Sequence, residues 1–234
     1  MQLRSVALAA FVAASFSAHA DTVALWDYSA TPTSTKHTQS ANGASFAVIG
    51  GVTTSFASGV ANQALNTTTY AAQGAGNLTR GVEYDVDTSG YTNLVLTFAQ
   101  RNSGTASAWT TLQYTIDGGE TWNFATTFQM PAASSGSFLS GITYDFSNTQ
   151  GVNDNPLFGV QLLASFAPGT STYVATSNGL AGTYGTSGTI RYDNVTFSGT
   201  AIPETAPIPE PQTYALMLAG LAAVGLLARR RRVG

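Results

Sequence analysis

Large apolar side chains recur at every second position in several stretches of this chain. The pattern runs through residues 82–86, 94–100, 112–116 and 158–166, where hydroxyl, amide or acidic side chains fill most intervening positions. Period-two alternation is typical of strands with one buried face, and Gly, Asn, Asp or Pro punctuates nearly every gap. We find no convincing amphipathic helix in this part of the chain. The pattern therefore predicts an all-β fold, and about ten short strands favour a two-sheet antiparallel β-sandwich with a jelly-roll-like arrangement.

The alternation changes phase once, in the last strand. Ile190 and Tyr192 share one parity, whereas Val195 and Phe197 share the other. A β-bulge adds one residue to a strand and so reverses which face the following side chains occupy. We therefore predict a bulge at residues 193–194.

Residues 115–122 (TIDGGETW) carry the clearest hairpin signal. Asp and Gly tolerate the positive φ that tight hairpin turns require. The segment resembles the Asp-box, a Ser/Thr-x-Asp-x-Gly-x-Thr-Trp hairpin of sialidases and other β proteins. The resemblance implies a structural role, in which Asp117 caps backbone N–H groups, Trp122 packs beneath the turn, and Gly119 and Thr121 complete the motif. A sialidase propeller would carry several copies, and this sequence has one.

The C-terminal end has a different character. Pro209, Glu210 and Pro211 precede an uncharged run at residues 213–228 (TYALMLAGLAAVGLLA), which is followed by four arginines, Arg229, Arg230, Arg231 and Arg232. Such a run would span roughly 24 Å as a helix, against about 30 Å for a bilayer core, which suits a transient anchor better than a permanent one. We predict a transmembrane helix at residues 212–228 and, by the positive-inside tendency, a basic cytoplasmic tail at residues 229–234.

The N-terminus predicts the same topology. A basic start precedes the apolar residues 6–16, and the small-x-small site 18–20 suits cleavage before Asp21. These are the parts of a secretory signal peptide, here residues 1–20, with a signal helix. The body would then be exported by the secretion machinery while the C-terminal segment stays in the membrane.

The C-terminal segment also resembles a PEP-CTERM sorting signal, which consists of a Pro-Glu-Pro motif, a membrane run containing a Gly (here Gly220) and a terminal Arg cluster. The resemblance implies a Gram-negative bacterium that makes exopolysaccharide. It also implies that an exosortase acts near the Pro-Glu-Pro motif, so that this segment is a substrate. It says nothing about the activity of the body.

The body spans residues 21–199, a length typical of one domain, and residues 200–211 form a Pro-rich linker. The chain has no cysteine, so neither a disulfide framework nor a thiolate metal site can form. Four basic residues face ten acidic ones in the body. This balance argues against a nucleic-acid partner, because phosphate binding needs clustered Lys and Arg.

Catalytic residues are sparse. His37 is the single histidine left after signal-peptide removal, and no known nucleophile or zinc motif is present. Glu83, Asp85 and Asp87 would lie on one strand face with neighbours about 7 Å apart, a spacing open to glycoside hydrolysis or to a plain solvated face. We expect that the protein is not an enzyme and that it requires no cofactor.

Oxygen-rich and aromatic residues supply the remaining candidate sites. Asp27 with Asp193, or the loop 153–155, could hold a structural Ca²⁺, although no EF-hand-like spacing is present. Trp109 and Trp122 could stack on sugars or serve as packing residues, with Trp109 the better exposed candidate because it follows a small polar loop.

These observations together predict an exported protein sorted to the cell envelope, with its body outside the cytoplasm. We expect a non-catalytic role in association with exopolysaccharide or a biofilm matrix. Two alternatives stay open: a secreted enzyme similar to glycoside hydrolases, and a purely structural matrix protein without glycan affinity.

Overall fold

A computed structural model of the chain describes residues 20–30, 34–177, 183–203 and 211–230. Within these ranges it has twelve β-strands, a 3-10 helix (Ala132–Ser134) and one α-helix, and the chain divides into two compact units, Met1–Ala201 and Ile202–Gly234. The elements are β1 (Ala20–Trp26), β2 (Gln39–Ser40), β3 (Ala44–Ile49), β4 (Thr53–Ser58), β5 (Gln63–Thr68), β6 (Gly81–Val86), β7 (Tyr91–Asn102), β8 (Trp109–Thr115), β9 (Asn123–Gln129), β10 (Phe138–Asp145), β11 (Phe158–Ser165), β12 (Ile190–Ala201) and α1 (Pro211–Arg230).

The strands form two antiparallel sheets. The seven-stranded sheet has the order β10-β7-β12-β1-β2, with β5 pairing to β12 and β4 pairing to β5. The five-stranded sheet has the order β3-β6-β11-β8-β9. The two-sheet antiparallel architecture expected of a β-sandwich is confirmed, and its jelly-roll connectivity stays a prediction.

The core lies between the sheets and is built from the alternating apolar residues. Leu94, Leu96 and Phe98 of β7 are buried, as are Phe158 and the following alternate residues of β11. Aromatic contacts join the sheets: Phe158 of β11 meets Phe197 of β12 edge-on at a ring-centre distance of 6.1 Å. Edge-to-face geometry is the arrangement that ring quadrupoles favour.

The predicted bulge in β12 is confirmed. Pairing between β12 and β7 shifts register between Asp193 and Thr196, and Asn194 takes a φ of 49°. The extra residue returns Val195 and Phe197 to the core, where both are fully buried.

Hydrogen bonds to Asp117 hold the turn between β8 and β9. Asp117 Oδ1 accepts hydrogen bonds from the Thr115 hydroxyl at 2.6 Å and the Thr121 N–H at 2.9 Å, and Oδ2 accepts from the Thr121 hydroxyl. These bonds lower the pKa of Asp117 to about 2, because they favour the charged form. The Trp122 ring lies under the turn, 3.7 Å from where a Cβ on Gly119 would stand.

The structure describes the two chain ends only in part. The predicted signal peptide lies outside the described residues except for Ala20, which begins β1. Residues 212–228 are helical, as part of α1, but no helix among the described residues is long and apolar enough to cross a membrane. The prediction of a transmembrane helix at residues 212–228 is therefore not confirmed.

A buried hydrogen bond between Tyr28, just after β1, and Tyr84 of β6 generates a stability prediction. Their hydroxyl oxygens are 2.9 Å apart, and both side chains are buried. We expect Tyr84→Phe to lower the free energy of unfolding by about 1–3 kcal/mol, because the Tyr28 hydroxyl loses its partner in the core. The double variant Tyr28→Phe/Tyr84→Phe should be more stable than the single one, since neither polar group remains. Urea unfolding measures both, and additive losses would contradict this account.

The Asp117 turn generates a pH prediction. A carboxyl whose pKa is lowered in the folded state stabilises the protein above its unfolded pKa, and this contribution is lost as pH falls through the folded pKa. We expect Asp117→Asn to lower the thermal midpoint at neutral pH, and the gap to wild type to close between about pH 4 and pH 2. Thermal unfolding across this range tests it. An undiminished gap at the lowest pH would show that the charge of Asp117 is not responsible.

Candidate functional site

Four outward-facing side chains of the five-stranded sheet, three polar and one aromatic, form a row across four strands. Glu83 of β6 is opposite Gln161 of β11, Gln161 is opposite Gln113 of β8, and Gln113 is opposite Phe124 of β9. Glu83, Gln161 and Gln113 are each adjacent in sequence to core residues of their own strand, so their side chains point away from the core. Phe124 lies beyond a register shift in the pairing of β8 with β9. We call these four residues the outer row.

Glu83 and Gln161 are held together within the outer row. The Gln161 amide Nε2 donates a 2.6 Å hydrogen bond to Glu83 Oε2. Burial raises the pKa of the Glu83 carboxyl, the Gln161 bond opposes this, and the charge of Asp85 adds to the rise. Asp85 lies on the same face and accepts a hydrogen bond from the Ser45 hydroxyl.

Phe124 ends the outer row and is turned outward by a register shift. The pairing of β8 with β9 shifts between Leu112 and Gln113, so that Ala125 has no partner and packs against the core. The ring of Phe124 consequently faces away from the core and is 65% exposed. By plain alternation it would share a face with Phe128, which contacts Phe98 in the core at 5.9 Å between ring centres.

A cleft of about 230 Å³ lies beside Phe124. Thr111 and Thr127 line it from the sheet, with their hydroxyl oxygens 2.8 Å apart, and residues 77–78 and 166–170 line it from two loops. Ser165 also lines the cleft; it is 3% exposed, and its hydroxyl has no hydrogen-bond partner among the described residues. A buried hydroxyl without a partner is costly, and beside a cleft it offers a free bond to a ligand.

The two tryptophans proposed for sugar stacking are not brought together. Trp109 is half-buried and faces outward on β8, paired in register with Ser165 of β11, so it lies on the same face as the cleft. Trp122 is beneath its own turn, in contact with the Gly119 position. The sequence reasoning missed Phe124, Gln161 and Ser165.

The carboxylates proposed for calcium already have donors. Asp193 is buried and accepts from the N–H groups of Val60 at 2.7 Å and Asn194 at 2.8 Å, while Asp27 Oδ1 accepts from Ser29 and Thr38. Burial and the nearby charge of Asp27 raise the pKa of Asp193, whereas its two N–H bonds lower it.

The other proposed calcium site, the loop 153–155, binds neighbouring segments with its side chains. Asn153 and Asp154 accept backbone N–H groups, and the Asn155 amide donates to two carbonyls. In the described part of the chain no cluster of three or more His, Asp or Glu side chains could hold a metal. A calcium site therefore stays a prediction.

The groups considered for catalysis are spread out. His37 is half-buried, with Nδ1 3.0 Å from the Ala44 carbonyl oxygen and its ring edge-on to Trp26. Asp87 lies beyond the end of β6 and accepts the Ser89 N–H. Glu83 and Asp85 alone remain together on the outer face of the sheet.

The proposed sorting residues fall partly in α1. Pro211 begins this helix and Arg229 and Arg230 end it, whereas Pro209, Glu210, Arg231 and Arg232 lie outside the described residues.

Several solved structures are similar to this chain, and two of them are the following. One is to the N-terminal endo-1,4-β-D-xylanase 10B of Clostridium thermocellum, solved as CBM22-1 and GH10 modules with xylohexaose; identity is 8% and the TM-score 0.44, over 70% of this chain and 27% of that one. The other is to a mutant of a family 29 carbohydrate-binding module, with 15% identity and a TM-score of 0.42, over 82% of this chain and 100% of that one. The chain thus spans about a quarter of the length of the xylanase chain.

Comparison by sequence finds a match at the C-terminal end of the chain. No curated protein matches the chain. Residues 207–232 match the family described as the PEP-CTERM protein-sorting motif. The chain therefore carries a PEP-CTERM sorting motif at its C-terminal end, which implies an exported protein sorted to the cell envelope.

Proposed function

We propose that the body of this protein binds a polysaccharide, without catalysis, on the outer face of its five-stranded sheet. The observation that carries the proposal is the position of an exposed aromatic ring, Phe124, beside a cleft lined by Ser165, whose buried hydroxyl has no partner among the described residues. The proposed ligand is an exopolysaccharide or biofilm-matrix glycan outside the cell.

The chemistry of the outer face suits sugars. A pyranose ring has apolar C–H faces and a rim of hydroxyl groups, so its binding site needs a flat apolar surface beside neutral donors and acceptors. Phe124 supplies the surface, because aromatic rings offer large apolar area at small entropic cost. The amides of Gln113 and Gln161 and the hydroxyls of Thr111 and Ser165 supply the polar partners.

The C-terminal motif supports the proposed location. A sorting motif directs the chain to an exosortase, and we propose that the tail is held in the membrane, with the arginines at the cytoplasmic side, until this enzyme acts. Export of the body through its signal peptide would place the cleft where extracellular glycans are found.

The second candidate function is glycoside hydrolysis. Its support is the pair of carboxyls Glu83 and Asp85 on one face of the sheet, where burial and the charge of Asp85 raise the pKa of Glu83, since glycoside hydrolysis uses two carboxyls. The Gln161 bond and the Ser45 bond to Asp85 engage these groups structurally, which is why we favour binding. The third candidate function, that of a matrix protein without glycan affinity, gives the exposed Phe124 ring no role.

Two substitutions in the cleft test glycan binding, and they differ in their expected effect on stability. Phe124→Ala should weaken affinity for the cognate polysaccharide about five- to tenfold with little loss of stability, because the ring is mostly exposed. Ser165→Ala should also weaken affinity, yet raise the free energy of unfolding by about 1 kcal/mol, since it removes an unsatisfied buried hydroxyl. Glycan arrays with the full chain in mild detergent identify the ligand, and calorimetry and urea unfolding give the two quantities.

Val60→Ala is the matched control, because Val60 is an exposed apolar residue at a turn of the other sheet. Its affinity should equal that of wild type. Equal affinity for wild type, Phe124→Ala and Ser165→Ala would exclude the cleft. Release of reducing sugar that Glu83→Gln abolishes would replace binding with hydrolysis.

The sorting motif generates a separate prediction. Replacing Pro209, Glu210 and Pro211 with Ala should leave the arginine tail on the mature protein, because the exosortase would no longer recognise its substrate. Intact-mass spectrometry of protein from the native host compares this variant with wild type, and both should lack residues 1–20. A wild-type protein that keeps its arginines would contradict processing near the motif.

A further inference from the structure

Two arginines lie side by side on the outer face of the seven-stranded sheet. Arg191 of β12 is directly opposite Arg101 of β7 in the pairing of these strands, and both side chains are half-exposed. Directly opposed residues have Cβ atoms roughly 5 Å apart, and like charges in such positions are destabilising. Burial and, to a smaller extent, the positive charge of Arg101 lower the pKa of Arg191, although a guanidinium keeps its charge in this setting.

The pairing is notable because the body has so few cations. Lys36, Arg80, Arg101 and Arg191 are its four basic residues, against ten acidic ones. Half of the positive charge is therefore concentrated at one point of an acidic body. Scattered basic residues would have avoided the repulsion, so the arrangement needs an explanation other than stability.

No acidic side chain among the described residues neutralises the pair. Arg101 Nε donates to the Gly136 carbonyl at 2.7 Å, and Arg191 donates from Nε to Asn66 Oδ1 at 3.1 Å and from Nη1 to the Ser58 carbonyl at 3.0 Å. Asp193, two residues along β12, is occupied by backbone N–H groups.

These bonds position the guanidinium groups and leave donors free. Each guanidinium has five N–H groups. Arg101 uses one and Arg191 uses two in bonds to described residues, so four and three remain. Nε is engaged in a hydrogen bond in both side chains. The free donors therefore include both terminal nitrogens of Arg101 and Nη2 of Arg191. Guanidinium nitrogens of this kind bind carboxylates and sulfates in bidentate fashion.

We propose that Arg101 and Arg191 form a binding site for a carboxylate or sulfate group of an acidic polysaccharide. Asn66 and Ser55 continue the same row of the sheet, and the Asn66 amide, which donates to the Ser55 hydroxyl and accepts from Arg191, keeps one N–H for the adjoining sugar. A single cationic site in an acidic body fits isolated charges spaced along a glycan. A nucleic acid or an anionic membrane carries a much denser negative charge, which the acidic remainder of the surface would repel. The site does not depend on the cleft, which lies on the other sheet.

The test uses the full chain in mild detergent with two matched probes. A short oligogalacturonate carries the carboxylates, and its methyl ester carries the same sugars without charge. Calorimetry should show binding of the acid, at least about tenfold weaker binding of the ester, and a similar loss in Arg101→Gln/Arg191→Gln. The corresponding Lys double variant should fall between wild type and the Gln variant, because it keeps charge but loses the forked donors. Lys36→Gln, which removes a cation elsewhere, should bind as wild type does.

Further measurements separate the remaining explanations. Thermal unfolding of the wild type can be measured with each probe and needs no variant. A larger rise of the unfolding midpoint with the acid than with the ester supports the site, even where the Gln variant fails to fold. Free sulfate that binds as tightly as the oligomer would overturn the polysaccharide assignment. Equal affinity for acid and ester, or for wild type and a folded Gln variant, would overturn the site. Phe124→Ala should leave acid-specific binding unchanged, so failure of the cleft and failure of this site are distinguishable.

Discussion

Burial of alternate apolar side chains between two sheets is the constraint on which the rest of the structure depends. With no cysteine in the chain, a disulfide cannot hold the sheets together. Cohesion comes from packed rings such as Trp26 against Tyr84, 4.9 Å apart and edge-on, and from the Tyr28–Tyr84 hydroxyl bond in the same region. Because one face of every central strand is committed to this core, the other face is free to carry functional groups.

Register shifts then determine which side chains lie on the outer face of each sheet. The bulge at residues 193–194 keeps Val195 and Phe197 in the core and leaves Asp193 to accept N–H groups from Val60 and Asn194. The shift at Ala125 has the opposite consequence, since it places Phe124 on the surface. In both strands a single inserted residue changes the face on which the neighbouring side chains lie.

The two outer faces consequently differ in chemistry. The five-stranded sheet presents amides, hydroxyls and an aromatic ring beside a cleft, which suits neutral sugar units. The seven-stranded sheet presents two guanidinium groups, which suit acidic ones. A protein with both could bind two stretches of a mixed polysaccharide, and simultaneous binding would raise its effective affinity.

The strand pattern, the two-sheet class, the bulge in β12 and the sorting motif could be predicted from the amino-acid sequence, because alternation and motif order are local properties of the chain. Sequence reasoning could not locate the binding sites. Phe124 has the parity of a core residue, and Arg101 and Arg191 are ninety positions apart. Only the pairing of strands distant in sequence exposed the first and brought the other two together, and that pairing depends on how the whole core packs.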